Sequence, residues 1–132
     1  MKYCADTWFF IQLTNRHPKA VDIWSEIKSG KGRLVVSTVV IAEAVKEILK
    51  NNLFRDLGDF LHAFSVSENI TVIDVTKEIA TDGGKYSFSQ NMTTIDGIIQ
   101  ATAIKTDHIN ILSRDEHYKK AEKQGLIKRV FW

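Results

Sequence analysis

Cysteine and proline are almost missing from this chain of 132 residues: Cys4 and Pro18 are the only examples of each. A lone cysteine excludes an intramolecular disulfide and any zinc centre built on several thiolates. Its setting, KYCAD, is that of a buried thiol in a strand, because a nucleophilic thiol would need a nearby base that the sequence does not offer. Long apolar runs are missing as well. Trp8–Ile11 and Val39–Ala42 are typical of those present, far short of the ~18 residues that cross a membrane. No membrane contact is therefore expected. The early Asp6 leaves no space for the apolar stretch of a secretory leader, so a cytoplasmic location is expected. Strong charge of one sign is absent too. A net charge of +2 does not by itself identify a nucleic-acid partner.

What is present fits one soluble α/β domain over residues 1–132. Hydrophobic residues make up 44% and charged residues 26%, a globular balance with too many apolar groups for a disordered chain. A domain of this size can bury a core without a disulfide or metal. It has no space for a separate cofactor domain, so any active site must sit on the one core. Short β-branched runs read as strands at Tyr3–Ala5, Leu34–Ser37, Thr71–Val75, Ile109–Leu112 and Val130–Trp132. Helical periodicity covers Lys19–Lys28, Val39–Lys50, Leu57–Ser65, Lys77–Tyr86, Ile95–Lys105 and Glu116–Lys123. Pro18 after His17 suits a turn that opens a helix. Apolar strands separated by helices predict a three-layer α/β/α fold with a short, mostly parallel sheet of four or five strands.

The carboxyl ends of parallel strands share one edge, where ligands bind. Four acids fall near that edge. Asp6 ends the first strand, Asp115 follows the fourth, Glu43 lies early in the helix after LVVS, and Asp96 opens TTIDGIIQATAIK. Each also has an ordinary explanation. Asp6 can cap TWFFIQL, Thr93 and Asp96 have capping-box spacing, and Ser113 and Glu116 have it too, with Asp115 an alternative cap. Glu43 alone reads as solvent-facing, since it lies opposite Ile41, Val45, Ile48 and Leu49 on the helical wheel. Taken together, four converging carboxylates would repel one another, and a divalent cation would relieve that repulsion. Oxygen-only ligands point to magnesium or manganese, whose chemistry is metal-assisted phosphoryl transfer.

Charge is unevenly divided along the chain. Residues 105–129 hold seven basic against four acidic residues, and residues 15–33 hold five against two, each a balance of +3. Between them, residues 43–96 hold nine acids and five bases. Solvated helix faces explain this as readily as a phosphate-binding surface does.

Three stretches carry a resemblance. YCADTW is similar to the opening strand and Asp-Thr of the PIN-domain ribonucleases, VVSTVVIAEAV to their strand end and helical Glu, and TTIDGIIQATAIKTDHINILSRDEHY to their most specific stretch. The resemblance is to the toxins of prokaryotic toxin–antitoxin pairs in particular. It implies a metal-dependent endoribonuclease, with Asp6, Glu43, Asp96 and Asp115 as the acidic Mg²⁺ or Mn²⁺ site. It also implies support from Thr7 and Ser113, a small antitoxin partner and a homodimer. The basic flanks, with Lys85, Arg114 and Lys119, would then hold RNA phosphates, and Tyr86 could stack a base; a plain surface loop is the simpler reading of Lys85 and Tyr86. The chain departs from the pattern at Trp8, where a small residue is usual, and at Gly97, expected to loosen the turn after Asp96.

Other features have weaker claims. His17, His62, His108 and His117 show no metal-ligand spacing on a shared helix face and read as surface or cap residues. The glycine pair of TDGGKYS lacks a phosphate-loop pattern. Trp24, Phe60, Phe64 and the VFW end read as core, with an exposed FW end available to a dimer. Two alternatives remain: a PIN-like nuclease of RNA processing without an antitoxin, and a receiver-type signalling module. For the latter Asp74 is loosely placed and the acid pair after the first strand is missing.

Overall fold

The computed structural model describes the backbone of residues 1–132 and every side chain except those of residues 54 and 55. The elements run β1 (Lys2–Ala5), α1 (Thr7–Thr14), α2 (Pro18–Lys28), β2 (Arg33–Ser37), α3 (Thr38–Lys50), α4 (Phe54–Val66), β3 (Ile70–Ile73), α5 (Lys77–Gln90), α6 (Thr94–Lys105), β4 (Asn110–Leu112), a 3₁₀ turn (Glu116–Tyr118), α7 (Lys119–Lys123) and β5 (Lys128–Val130). Five strands form one sheet in the order β3-β2-β1-β4-β5. Every pairing is parallel. The chain winds outward from β1 to β3, then returns through α5 and α6 to β4 on the other side of β1. With this strand order, the right-handed rule for parallel crossovers puts α5 and α6 on the face opposite α1–α4. The order therefore reverses between β1 and β4, and a crevice opens at their carboxyl ends.

Two strands differ from their sequence-based bounds. β3 spans Ile70–Ile73 and stops before Asp74. Thr76 must leave the sheet to cap α5, its Oγ1 accepting from Ile79 N at 3.2 Å. β5 spans Lys128–Val130 rather than the final three residues. Its only neighbour, β4, ends at Leu112 opposite Val130, so residues 131–132 have no strand to pair with. Trp132 packs on Trp8 instead, with ring centroids 4.7 Å apart.

The inner strands are short and buried on both faces. Cys4, Ala5, Val36, Ile111 and Leu112 have no measurable exposure, and burial pushes the Cys4 thiol well above its ordinary pKa, which makes it inert. An aromatic cluster fills the α1–α4 side, where Phe10 meets Phe60 edge-on at 4.9 Å and Phe64 at 5.9 Å.

α5 continues to Gln90 with both glycines inside it, so Lys85 and Tyr86 are helical, as the periodicity over Lys77–Tyr86 predicts, and not in a surface loop. Tyr86 packs against the core, while Lys85 is exposed. Gly83 has a packing reason. It faces α6, where a Cβ would meet Ile98 backbone and side chain at 2.8–2.9 Å. Gly97 makes the reciprocal approach, and a Cβ there would collide with the Gly83 carbonyl oxygen. The expected loosening at Gly97 is thus the reverse of what the fold does. Glycine there lets two helix backbones touch and seats α6, buried on nearly every side, beneath Asp96.

Gly97→Ala should therefore cost about 2–3 kcal/mol through overpacking, read as a lower urea midpoint. Gly84→Ala, with open space around its Cβ position, should be neutral or stabilising by up to about 1 kcal/mol from helix propensity. Equal effects at the two positions would contradict the close helix contact.

Candidate active site

Asp6 is placed by the end of β1. Register pairs Ala5 with Leu112, so the next residues on the two strands, Asp6 and Ser113, emerge side by side. Ser113 Oγ donates to Asp6 Oδ2 at 2.6 Å in a buried contact. Asp6 Oδ1 accepts from Thr7 N at 2.7 Å and caps α1. The same Ser113 Oγ accepts from Asp115 N at 3.0 Å. One hydroxyl thus ties the ends of β1 and β4 together and fixes two carboxylates. Asp115 Oδ1 caps the 3₁₀ turn by accepting from His117 N at 2.9 Å. The Ser113–Glu116 capping box does not form, because Ser113 is committed to Asp6. Glu116 instead pairs outward with Arg129 at 3.5 Å and Lys119 at 3.9 Å.

Asp96 reaches the crevice from the opposite layer. Thr93 Oγ1 accepts from Asp96 N at 3.1 Å, which is half of the expected capping box. The other half is absent among the described hydrogen bonds. The Asp96 carboxylate turns to the crevice, where Oδ2 lies 2.9 Å from His117 Nδ1 and Oδ1 accepts from Tyr118 Oη at 3.4 Å. Glu43 is half-buried rather than solvent-facing, and its Oε1 accepts from Thr7 Oγ1 at 2.7 Å. Thr7 therefore serves two acids: its amide supports Asp6 and its hydroxyl supports Glu43. Asp6, Thr7, Trp8, Ile11, Glu43, Asp96, Ser113, Arg114 and Asp115 line a single cleft. Lys85, Lys119 and Asp74 are not among its lining residues.

Trp8 does not disturb Asp6. Its ring turns to Trp132, which stacks in turn on His17 at 5.3 Å. His17 is a cap, with Nδ1 accepting from Lys19 N at 3.2 Å. His117 is different, and its role was missed in the sequence. It lies 2.9 Å from Asp96 and 3.4 Å from Asp115. The available signal was its position two residues after a capping Asp, where the turn brings residue i+2 back to the cap carboxylate. Tyr118, fully buried beside it, has its hydroxyl pKa raised by burial and by the charges of Asp6 and Asp96.

The electrostatics are those of an under-neutralised acidic pocket. Among the described residues no lysine or arginine pairs with Asp6, Glu43, Asp96 or Asp115. Asp6 is pushed up to about 7: burial acts first, and Asp96 and Asp115 add to it, outweighing the hydrogen bonds from Ser113 and Thr7. The hydrogen bond to Asp96, and then the charge of Asp115, raise the pKa of His117. Ligand atoms of Asp96, Asp115 and His117 all lie within 4.8 Å of one another. Asp6 and Glu43 share the cleft but lie outside that tightest group. The donor set, mostly carboxylate and short of positive charge, fits a divalent cation.

The chain is thus a parallel α/β fold with an acidic crevice at the switch point of its sheet. A family model for the PIN domain matches residues 3–124, and the chain belongs to that family. No curated protein matches it. Among solved structures it is similar to VapBC2 of Rickettsia felis bound to a promoter DNA fragment, with 17% identity, 100% of this chain and 99% of that chain covered, and a TM-score of 0.74. It is also similar to VapC20 of Mycobacterium tuberculosis, described as a sarcin–ricin loop cleaving toxin (19%, 90% and 94%, TM-score 0.73). A toxin–antitoxin complex of Klebsiella pneumoniae is a third such structure (18%, 86% and 87%, TM-score 0.68). At these identities the likeness is one of fold.

Asp6 generates a pH prediction for the metal-free chain. Its carboxyl has a pKa of about 3.8 unfolded and about 7 folded. Its contribution to stability is complete below the unfolded value, where both states are protonated, and is lost as pH rises through 7. In EDTA, the melting temperature of the wild type should fall between pH 4 and 7 relative to Asp6→Asn, by the equivalent of a few kcal/mol. Parallel profiles for the two proteins would contradict the assignment.

Proposed function

We propose that this chain is a divalent-metal-dependent endoribonuclease that hydrolyses RNA phosphodiester bonds and acts as the toxin of a toxin–antitoxin pair. The observation that carries the reading is the cleft lined by Asp6, Glu43, Asp96 and Asp115, whose carboxylates lack lysine or arginine partners among the described residues. PIN-family membership supports nuclease chemistry. The fold shared with toxin–antitoxin proteins supports the biological role.

Asp6, Glu43, Asp96 and Asp115 would hold Mg²⁺ or Mn²⁺. When bound, such an ion supplies charge for the transition state and lowers the pKa of an attacking water. The chain's own groups do the positioning. Ser113 and the Thr7 amide hold Asp6, the Thr7 hydroxyl holds Glu43, and Ser113 fixes the turn that presents Asp115. Arg114, exposed on the cleft lining, binds a phosphate of the RNA backbone, as a guanidinium does well. Lys85 and Lys119, outside the lining, add longer-range charge along with the basic flanks.

An antitoxin partner has an apolar groove available between α1, α2 and α4, walled by Phe10, Leu13, Trp24, Phe60 and Val66. A homodimer is the proposed assembly, with the exposed Phe88 and Phe131 available to an interface. The cytoplasm is the proposed compartment. No helix among the described residues is long and apolar enough to cross a membrane.

Asp96→Asn should reduce cleavage of labelled single-stranded RNA to background while its circular dichroism spectrum stays unchanged. EDTA should do the same to the wild type, with activity restored by Mn²⁺. Full cleavage by the variant, or cleavage in EDTA, would overturn the reading. Growth arrest on expression, relieved by Asp6→Ala, tests the toxin role separately.

A further inference from the structure

We propose that His117 is a direct ligand of the divalent cation, adding an imidazole nitrogen to the carboxylates and biasing the site toward manganese over magnesium. The inference rests on the metal-dependent reading above and deepens it.

The geometry carries the argument. An octahedral ion with ligands at about 2.0–2.1 Å sets neighbouring ligand atoms about 3 Å apart. His117 Nδ1 lies 2.9 Å from Asp96 Oδ2 and 3.4 Å from Asp115 Oδ1, close to that spacing on both sides. All three ligand atoms fall within 4.8 Å of one another. The backbone that carries the imidazole is also held in place. Asp115 Oδ1 accepts from the His117 amide at 2.9 Å, and the next residue, Tyr118, is buried with its hydroxyl on Asp96. The three donors come from two places in the fold: α6 supplies Asp96, and the capped 3₁₀ turn after β4 supplies both Asp115 and His117. With Nδ1 on the ion, the ring carries its proton on Nε2, and its half-exposed position leaves that group free to reach water.

The chemical consequence follows from donor type. Magnesium favours an all-oxygen shell with several waters. Imidazole suits later first-row ions, and manganese accepts a mixed shell more readily than magnesium. One nitrogen among carboxylates should therefore change metal preference more than metal capacity.

The test loads the full chain with Mn²⁺ and measures binding directly, by calorimetry and by electron-spin-echo envelope modulation. The wild type should show nitrogen-14 modulation of the bound Mn²⁺, absent from His117→Ala. The ratio of Mn²⁺ to Mg²⁺ affinity should fall by about tenfold in the variant, the scale of a lost ligand-shell contact. Thermal melts check that this exposed substitution leaves the fold intact. Bound Mn²⁺ without nitrogen modulation in the wild type overturns the inference and leaves the metal site standing. A fall in affinity without a nitrogen signal also overturns it, since His117 would then only position Asp96. No bound Mn²⁺ in the wild type overturns the metal-dependent reading itself, and this inference with it.

Discussion

The hydroxyl of Ser113 joins what the rest of the cleft is built around. It donates to the buried Asp6 carboxylate and accepts from the Asp115 amide. In doing so it bridges the ends of the two strands on either side of the switch point. Parallel pairing alone brings the strand ends together. The hydroxyl converts that proximity into fixed orientation, because its proton and one of its lone pairs each have a defined partner. Without it, Asp6 would be a buried carboxylate supported by one amide, and the turn presenting Asp115 would lose its anchor.

Around that bridge the protein accumulates negative charge that it does not neutralise. Burial and neighbouring acids drive the Asp6 carboxyl up to about 7, and His117 alone among the basic side chains makes ion pairs with these carboxylates in the described structure. Such an arrangement costs stability, and a bound cation would offset that cost. The tight α5–α6 contact at Gly83 and Gly97 belongs to the same logic. It brings the amino end of α6, and with it Asp96, to the crevice from the layer opposite α1 and α3. The acids thus arrive from both faces of the sheet and converge only because three layers are stacked.

Much of this was legible in the chain. The β-branched runs and amphipathic stretches marked the strands and most helices. The acids at strand ends marked the edge that the cleft occupies, and Pro18 and His17 marked the start of α2. Readings that depended on a single residue's surroundings fared less well. Glu43 looked solvent-facing on its own helix, because a helical wheel knows nothing of the α1 hydroxyl waiting opposite. Lys85 and Tyr86 closed the helical periodicity of Lys77–Tyr86 yet also read as a plain surface loop, and the close helix contact that requires Gly83 is non-local. His117 looked like a surface residue because its partners lie 21 residues away on α6 and two residues away across a turn.

The sequence by itself determined the alternation of strands and helices, the burial of Cys4 and the placement of acids at the ends of strands, since these follow from local periodicity, hydrophobicity and capping chemistry. Tertiary structure alone decided which side chains meet. Strand order put Asp6 beside Ser113, backbone contact between two glycines seated α6, and a capped turn carried His117 onto Asp96. The physical reason is the same in each case. Hydrogen bonds and charge interactions act over a few ångströms, and only the folded chain brings residues distant in sequence within that range.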